Sequence, residues 1–415
     1  MERVVITGMG AITPLGQDVA SFWSKLAGGE SGIGPIDTFD VSRHKAKIAG
    51  LVRDFDAEGR FGRKEARRMD RFCQFAVAAA EEAVAQAGID MERIDRERMG
   101  VYVGAGIGGL QTLLDNDGLL RDRGPERVSP LLVPMMIANM APAMISIRFG
   151  TYGPTLAPVT ACSIGNTAIG EAARLIRGGE ADIMLAGGAE AAVTDIALAA
   201  FGNSTALSLR NDAPERASRP FDAGRDGFVM AEGAGIVVLE SLSHALRRGA
   251  RIHGEVIGYG ASSDAYHIVA THPEGRGAYQ AMRAALASAG IQAKDVDVVS
   301  AHATSTDIGD LSETMAIKKL FGEEAYRVPV TANKSMTGHM LGACGGIEAI
   351  ALAKMLQEGV VTPTINLETP DAECDLDYVP NEARRGLDLR IGLSNSFGFG
   401  GHNAVIVLRR YEEKA

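Results

Sequence analysis

The chain has 415 residues, a net charge of −10, 46% hydrophobic and 23% charged residues. That is the balance of a globular protein too long for one ordinary core, so two fused or repeated core units are expected. The acidic charge argues against nucleic-acid binding, and the lack of any uninterrupted apolar run of about 18 residues argues against membrane insertion.

In chain order, a β-prone run over Val4–Thr7 begins almost at once and leaves no room for a signal peptide. A helical run over Lys64–Ala87 comes next, then a strand over Gly100–Gly104, a helix over Gly165–Arg177, and strands over Ile183–Gly187 and Ile236–Glu240. Further on, the pattern predicts a helix over Gly277–Ala289, strands over Val296–Ala301 and Val328–Ala332, a helix over Leu341–Gln357, and strands over Ile391–Asn395 and Ala404–Leu408. Such alternation predicts an α/β protein with helices packed over sheets. The 50 glycines cluster in short turn motifs. The cysteines at 73, 162, 344 and 374 show neither a CxxC pair nor metal-ligand spacing. No metal site is therefore expected, and a reducing, cytoplasmic location is.

The two halves echo each other. Ala85-Gln86-Ala87-Gly88-Ile89 matches Ala287-Ser288-Ala289-Gly290-Ile291, and Gly170-Glu171-Ala172 matches Ile347-Glu348-Ala349. The Gly227-Phe228 turn before Ile236–Leu239 matches the Gly398-Phe399 turn before Val405–Leu408. Two similar halves are expected, residues 1–250 and 251–415, joined near 241–255. The helix match carries Cys162 onto His339, which would put both at equivalent helix starts near a pseudo-two-fold axis.

Cys162 lies where an apolar β-prone stretch, Pro158-Val159-Thr160-Ala161, runs into the helix from Gly165. There the helix dipole and free backbone N–H groups would favour a nucleophilic thiolate. Cys73 and Cys344 read as core packing, and Cys374 lies in an acidic loop that disfavours a thiolate. His302 ends the strand Val296–Ala301, at the edge where α/β proteins bind ligands. His339 precedes a helix whose dipole favours neutral imidazole. One nucleophile and two histidines in Gly/Ser/Thr-rich turns compose a covalent acyl-transfer site. His44, His244 and His253 stand in charged or surface-like contexts and receive no role. Lys334, among small residues, is either a solvated charge or a buried one paired with Glu348. Phe399, between glycines, is either a core residue of a hairpin or a donor whose amide joins that of Cys162 in an oxyanion hole. Gly104-Ala105-Gly106-Ile107-Gly108-Gly109 satisfies GxGxxG and raises a remote alternative, a dinucleotide-binding oxidoreductase, although no strand ending in Asp or Glu follows at the required distance. Arg60, Arg63, Lys64, Arg67, Arg68 and Arg71 form a basic stretch, four of them on one helical face. A solvated helix start and a docking patch for an acidic partner both fit.

Taken together, Arg3–Gly10, Thr160-Ala161-Cys162, Ser218–Asp222, Arg225–Phe228, Lys334–His339 and Asn395–Asn403 resemble the β-ketoacyl-acyl-carrier-protein synthases of the thiolase superfamily. The resemblance covers essentially the whole chain and is closest to the elongating enzymes of bacterial fatty acid synthesis. It implies a five-layered αβαβα fold built from two similar halves, a homodimer, and an acyltransferase whose partner is acyl carrier protein, loaded with acyl or malonyl groups. No cofactor is implied beyond the phosphopantetheine that the carrier brings, apart from a structural monovalent cation near Asn395 as in some relatives. By resemblance Cys162 carries the acyl group, and His302 and His339 stabilise the enolate left by decarboxylation. Lys334 positions His339, with Glu348 holding it. Thr304 and Thr306 bind the pantetheine arm. Ile107, Gly398 and Phe399 contact substrate, Ile107 and Phe399 as gates to the acyl pocket. Lys64, Arg67, Arg68 and Arg127 correspond to the carrier-docking patch. Ala303, Thr205 and Ser163 depart from the family pattern, Thr205 at a position where a basic docking residue can stand. A thiolase would need a second cysteine in the last turn. Initiating enzymes would replace one histidine with Asn, and a chain-length-factor subunit would lack Cys162. A ketosynthase of a type II polyketide pathway shares the Cys-His-His set and stays open as the alternative.

Overall fold

The computed structural model describes residues 2–413. In the first half, β1 (Val4–Ile12), β2 (Met99–Gly104), β3 (Thr155–Leu156), β4 (Ile183–Glu190) and β5 (Gly233–Ser241) form a sheet in the order β3-β2-β4-β5-β1. In the second half, β6 (Gly254–Ser263), β7 (Val298–Ser300), β8 (Val330–Thr331), β9 (Ile391–Gly398) and β10 (His402–Arg409) repeat it as β8-β7-β9-β10-β6. The pairings agree strand for strand. Each sheet has two parallel pairs followed by two antiparallel ones. A short ladder, Val5 with Glu255 and Ile6 with Gly254, stitches the sheets together through β1 and β6.

The layers follow from which strands each helix meets. Helices α1 (Arg71–Ala87) and α2 (Met140–Phe149) cover the outer face of the first sheet, and α4 (Arg276–Ala289) covers the second, with α5 (Asp307–Phe321) packed beside it. Helices α3 (Ile164–Arg177) and α6 (Cys344–Glu358) lie between the sheets and touch strands of both, which completes five layers. The outer helices sit very close to the strands because glycine faces them. A Cβ on Gly8 or Gly10 would come within 2.1 or 1.9 Å of the Ala83 or Ala79 carbonyl of α1. On Gly258 or Gly260 it would come within 2.4 or 2.2 Å of Ala285 or Ala281 of α4. These glycines depress strand propensity, and β6 was absent from the sequence expectation for that reason. Helices α2 and α5 were likewise not predicted.

The central helices cross at the pseudo-two-fold axis. A Cβ on Gly165 would meet Gly345 Cα at 2.7 Å, and one on Gly345 would meet Gly165 Cα at 2.9 Å. The equivalence is therefore Gly165 with Gly345, three residues off the match that linked Cys162 to His339. The short turns before the two helices agree, Ala161–Ser163 and Leu341–Ala343, each opened by a residue at positive φ, Ala161 at 51° and Leu341 at 47°. Cys162 thus corresponds to Gly342, and His339 lies one turn earlier.

Other sequence expectations need correction. The helix expected over Lys64–Ala87 breaks, with Arg63–Ala66 ending before Asp70 caps α1 through the Phe72 N–H. The Gln74 side chain satisfies the carbonyls freed at the break, those of Ala66 and Met69. Arg71 turns inward onto Glu232 and the Val52 carbonyl and leaves the basic face. The stretch before Cys162 is no strand beyond Leu156. His253 is buried, and burial pushes its pKa down to about 4.

Candidate active site

The two halves bring Cys162, His302 and His339 together at the floor of a cavity of about 370 Å³. Ile107, Thr304, Thr306, Gly398 and Phe399 line the same cavity. Cys162 sits in the turn ahead of α3, 7% exposed, with its Sγ 3.1 Å from His339 Nε2. The backbone N–H groups of Phe399 and of Cys162 itself point at this sulfur. Gly398 allows that approach, since a Cβ there would lie 2.9 Å from the Cys162 nitrogen. Two amides converging beside a buried thiol have the arrangement that an oxyanion hole would need.

The electrostatics depart from the sequence reading. The helix dipole was expected to favour a thiolate, yet burial pushes the Cys162 thiol up to about 12, against the opposing pull of Lys334 and the two amides. The resting residue is a thiol. Both histidines are held well below the ordinary imidazole pKa, by burial first and the Lys334 charge second, so both are neutral at physiological pH. Their rings meet edge to face, centroids 5.5 Å apart. Phe397 packs on His302 and Phe228 on His339.

Lys334 is buried in the turn before His339 and forms a close ion pair with Glu348 of α6. Burial opposes its charge, but Glu348 outweighs burial and keeps the ammonium protonated. Its Nζ lies 3.4 Å from His302 Nδ1. Lys334 therefore orients His302 and not His339, which corrects the expectation. A lysine always donates, so His302 Nδ1 accepts and its Nε2 carries the hydrogen. The group facing His339 Nδ1 is instead Cys344 Sγ, at 3.1 Å.

Three carboxylates that frame this geometry were not singled out from the sequence. Glu313 of α5 accepts the N–H groups of His302 and Ala303 at 2.9 and 2.7 Å, and Asn395 donates to it at 2.9 Å. Asp310, one turn earlier, accepts the Ser305 and Phe221 N–H groups and fixes the loop of Thr304 and Thr306, whose hydroxyls lie 3.1 Å apart. Their i, i+3 spacing on one helix face was the available signal. Glu190, at the end of β4, accepts N–H groups from Gly106, Ile107 and Gly108, and also from Gly342. The GxGxxG turn thus cradles a carboxylate of its own chain. A Cβ on Gly106 would stand 2.8 Å from that carboxylate and would press it away from its N–H donors. The dinucleotide reading fails at this point, because the donors a pyrophosphate would need are taken.

Comparison with known proteins agrees. Residues 1–245 match the family "Beta-ketoacyl synthase, N-terminal domain", and residues 253–368 match "Beta-ketoacyl synthase, C-terminal domain". The chain belongs to the beta-ketoacyl synthase family. A 3-oxoacyl-[acyl-carrier-protein] synthase 2 of Synechocystis sp. is 51% identical over 99% of both chains, and one of Staphylococcus aureus is 52% identical over 99% of both. Among solved structures, a beta-ketoacyl synthase from Burkholderia phymatum superposes with TM-score 0.92 at 37% identity, covering 99% of this chain and all of that one. The ketosynthase of a type II PKS acyl-carrier protein complex does so with TM-score 0.92 at 35% identity, again over 99% and 100% of the two chains.

Within this family fold the basic residues of the first half lie at the surface. Lys64, Arg67, Arg68 and Arg127 are all exposed, Arg67 with Glu58 at 3.5 Å. Among the described residues no helix is long and apolar enough to cross a membrane, and no cluster of three or more His, Cys, Asp or Glu side chains could hold a metal ion.

Proposed function

We propose that this enzyme elongates acyl chains on acyl carrier protein by decarboxylative condensation with malonyl-carrier protein. The observation that carries the reading is the meeting of one thiol, two neutral imidazoles and two backbone amides at one cavity floor. Cys162 Sγ attacks the acyl thioester. The sulfur–carbonyl bond forms, and the carrier thiol leaves with the proton. Malonyl thioester then enters past Thr304 and Thr306, and its carbonyl oxygen accepts hydrogen bonds from His302 and His339. The bond to carbon dioxide breaks and its electron pair becomes an enolate, which neutral donors stabilise without first protonating it. The enolate carbon attacks the acyl carbonyl on Cys162, whose oxyanion takes the Cys162 and Phe399 amides. Collapse breaks the carbon–sulfur bond and releases the 3-oxoacyl product, two carbons longer, and the departing sulfur takes a proton from solvent to restore the thiol. Ile107 and Phe399, both at the cavity mouth, would gate the acyl chain.

The relatives of 51–52% identity are named 3-oxoacyl-[acyl-carrier-protein] synthase 2, whereas the type II PKS ketosynthase structure stands at 35%, which favours the fatty acid pathway. The exposed Lys64, Arg67, Arg68 and Arg127 supply positive charge for an acidic carrier. A homodimer is supported by the short exposed edge strand β3 and the exposed Ile147, Tyr152 and Val159 beside it. A cytoplasmic site of action accords with four free cysteines. For a structural monovalent cation, Asn395 Oδ1 is buried without a hydrogen-bond partner and would be one of its ligands. A neutral oxygen of this kind suits such an ion.

The test is incubation with acyl-carrier protein followed by intact and peptide mass spectrometry, then addition of malonyl-carrier protein. A thioester on Cys162 and a product two carbons longer are expected. Acylation of another cysteine, or no decarboxylation, would overturn the reading. Extension confined to poly-β-keto chains would move the enzyme to the polyketide pathway.

A further inference from the structure

The two histidines do the same chemistry but are held differently at their second nitrogen. His302 Nδ1 faces the Lys334 ammonium at 3.4 Å, and His339 Nδ1 faces the Cys344 thiol at 3.1 Å. A neutral imidazole donates from one nitrogen only, so whatever faces Nδ1 decides whether Nε2 can donate. His339 Nε2 must donate, because it points at Cys162 and at the place the malonyl thioester oxygen will take. Lys334 cannot serve both rings. Cys344 opens α6, is fully buried, and lies just after the turn that carries His339.

We propose that Cys344 is the positioning residue of His339, its S–H donating to Nδ1 and so fixing the tautomer with hydrogen on Nε2. Three facts beyond the distance support this direction. Burial pushes the Cys344 thiol far up, so its hydrogen is always available. The Met340 backbone N–H also faces the sulfur, which occupies its accepting side. Lys334 acts on the same ring only through space, holding it neutral. The opposite tautomer, with Nδ1–H donating to Cys344, would present a lone pair to the enolate oxygen, where it would repel the developing charge. Cys344 touches neither substrate nor reacting atoms. It acts wholly through His339.

This inference rests on the proposed condensation, and its test separates the two. The decarboxylation of malonyl-carrier protein is measured for wild type, Cys344→Ala and Cys344→Ser, with thermal melts to confirm folding. Cys344→Ala should lower kcat about tenfold with KM unchanged. Cys344→Ser, which keeps a donor hydrogen in less volume, should recover most of the loss. A simple packing defect would leave serine nearly as impaired as alanine. In parallel, 15N NMR of histidine-labelled enzyme should find His339 Nδ1 unprotonated in wild type and shifted in Cys344→Ala. Folded Cys344→Ala with wild-type kcat, serine no better than alanine, or a protonated Nδ1 in wild type would each overturn the role of Cys344. Failure of the wild type itself to decarboxylate would instead sink the condensation reading.

Discussion

Replacing Lys334 with methionine separates the structural from the chemical role of the buried ion pair. The ammonium and its partner Glu348 are 1% and 2% exposed. Removing the lysine leaves a carboxylate in a closed interior with Oε2 already lacking a partner. Breaking such a pair costs about 3–5 kcal/mol, because the remaining charge loses its compensation and cannot regain water. Lys334→Met should therefore show a loss of that size in chemical denaturation. Adding Glu348→Gln removes the orphaned charge while keeping an oxygen in place, and should recover most of the stability. Activity should not return with it. His302 Nδ1 still lacks its donor at 3.4 Å, and the ring is free to take the wrong tautomer. The double variant should thus fold like wild type yet decarboxylate malonyl-carrier protein at least about tenfold more slowly, on the scale set by loss of one oriented donor. Equal stability of Lys334→Met and wild type would refute the energetic argument. Recovery of turnover in the double variant would refute the assignment of Lys334 to His302.

Cys162→Gln should still release carbon dioxide from malonyl-carrier protein while forming no 3-oxoacyl product, because His302 and His339 survive without the sulfur; loss of both activities would contradict the division of labour. His339→Ala should lower decarboxylation by roughly 10²–10³, the effect of removing one oxyanion donor, and near-normal rates would contradict its role. With both imidazoles held below the usual range, decarboxylation should stay level as pH falls through 6.5, a result that an inflection there would overturn. Glu190 is pushed up to about 7 by burial, so between its unfolded and folded pKa values the folded protein binds a proton that the unfolded chain has released. Its contribution is then fully present at low pH and is lost as pH rises towards 7, by at most about 1.4 kcal/mol per unit. The stability deficit of Glu190→Gln should therefore shrink between pH 5 and pH 7.5 in denaturant titrations, and a growing deficit would mean that its four N–H donors outweigh burial.

What the sequence determined alone is the chemistry and the doubling. Cys162, His302 and His339 each stand in a short turn of small residues, and the alternation of β-prone and alanine-rich runs repeats in both halves. Those features are local, so they survive as text. The register of the repeat was not legible to the residue, because alanine-rich helices match at several offsets. Only the contact of Gly165 with Gly345 decided it. Nor could sequence say what each second nitrogen faces. Lys334 is five residues from His339 along the chain yet reaches His302, because the turn over Lys334–Thr337 points its side chain back across the axis to the other ring. Glu190, Asp310 and Glu313 were not singled out, because burial against backbone N–H groups from other segments is what made them frame the site. The thiol of Cys162 shows the same limit. Helix position is written in the sequence and favours the anion, but desolvation depends on everything folded around the sulfur, and there it is the larger of the two effects.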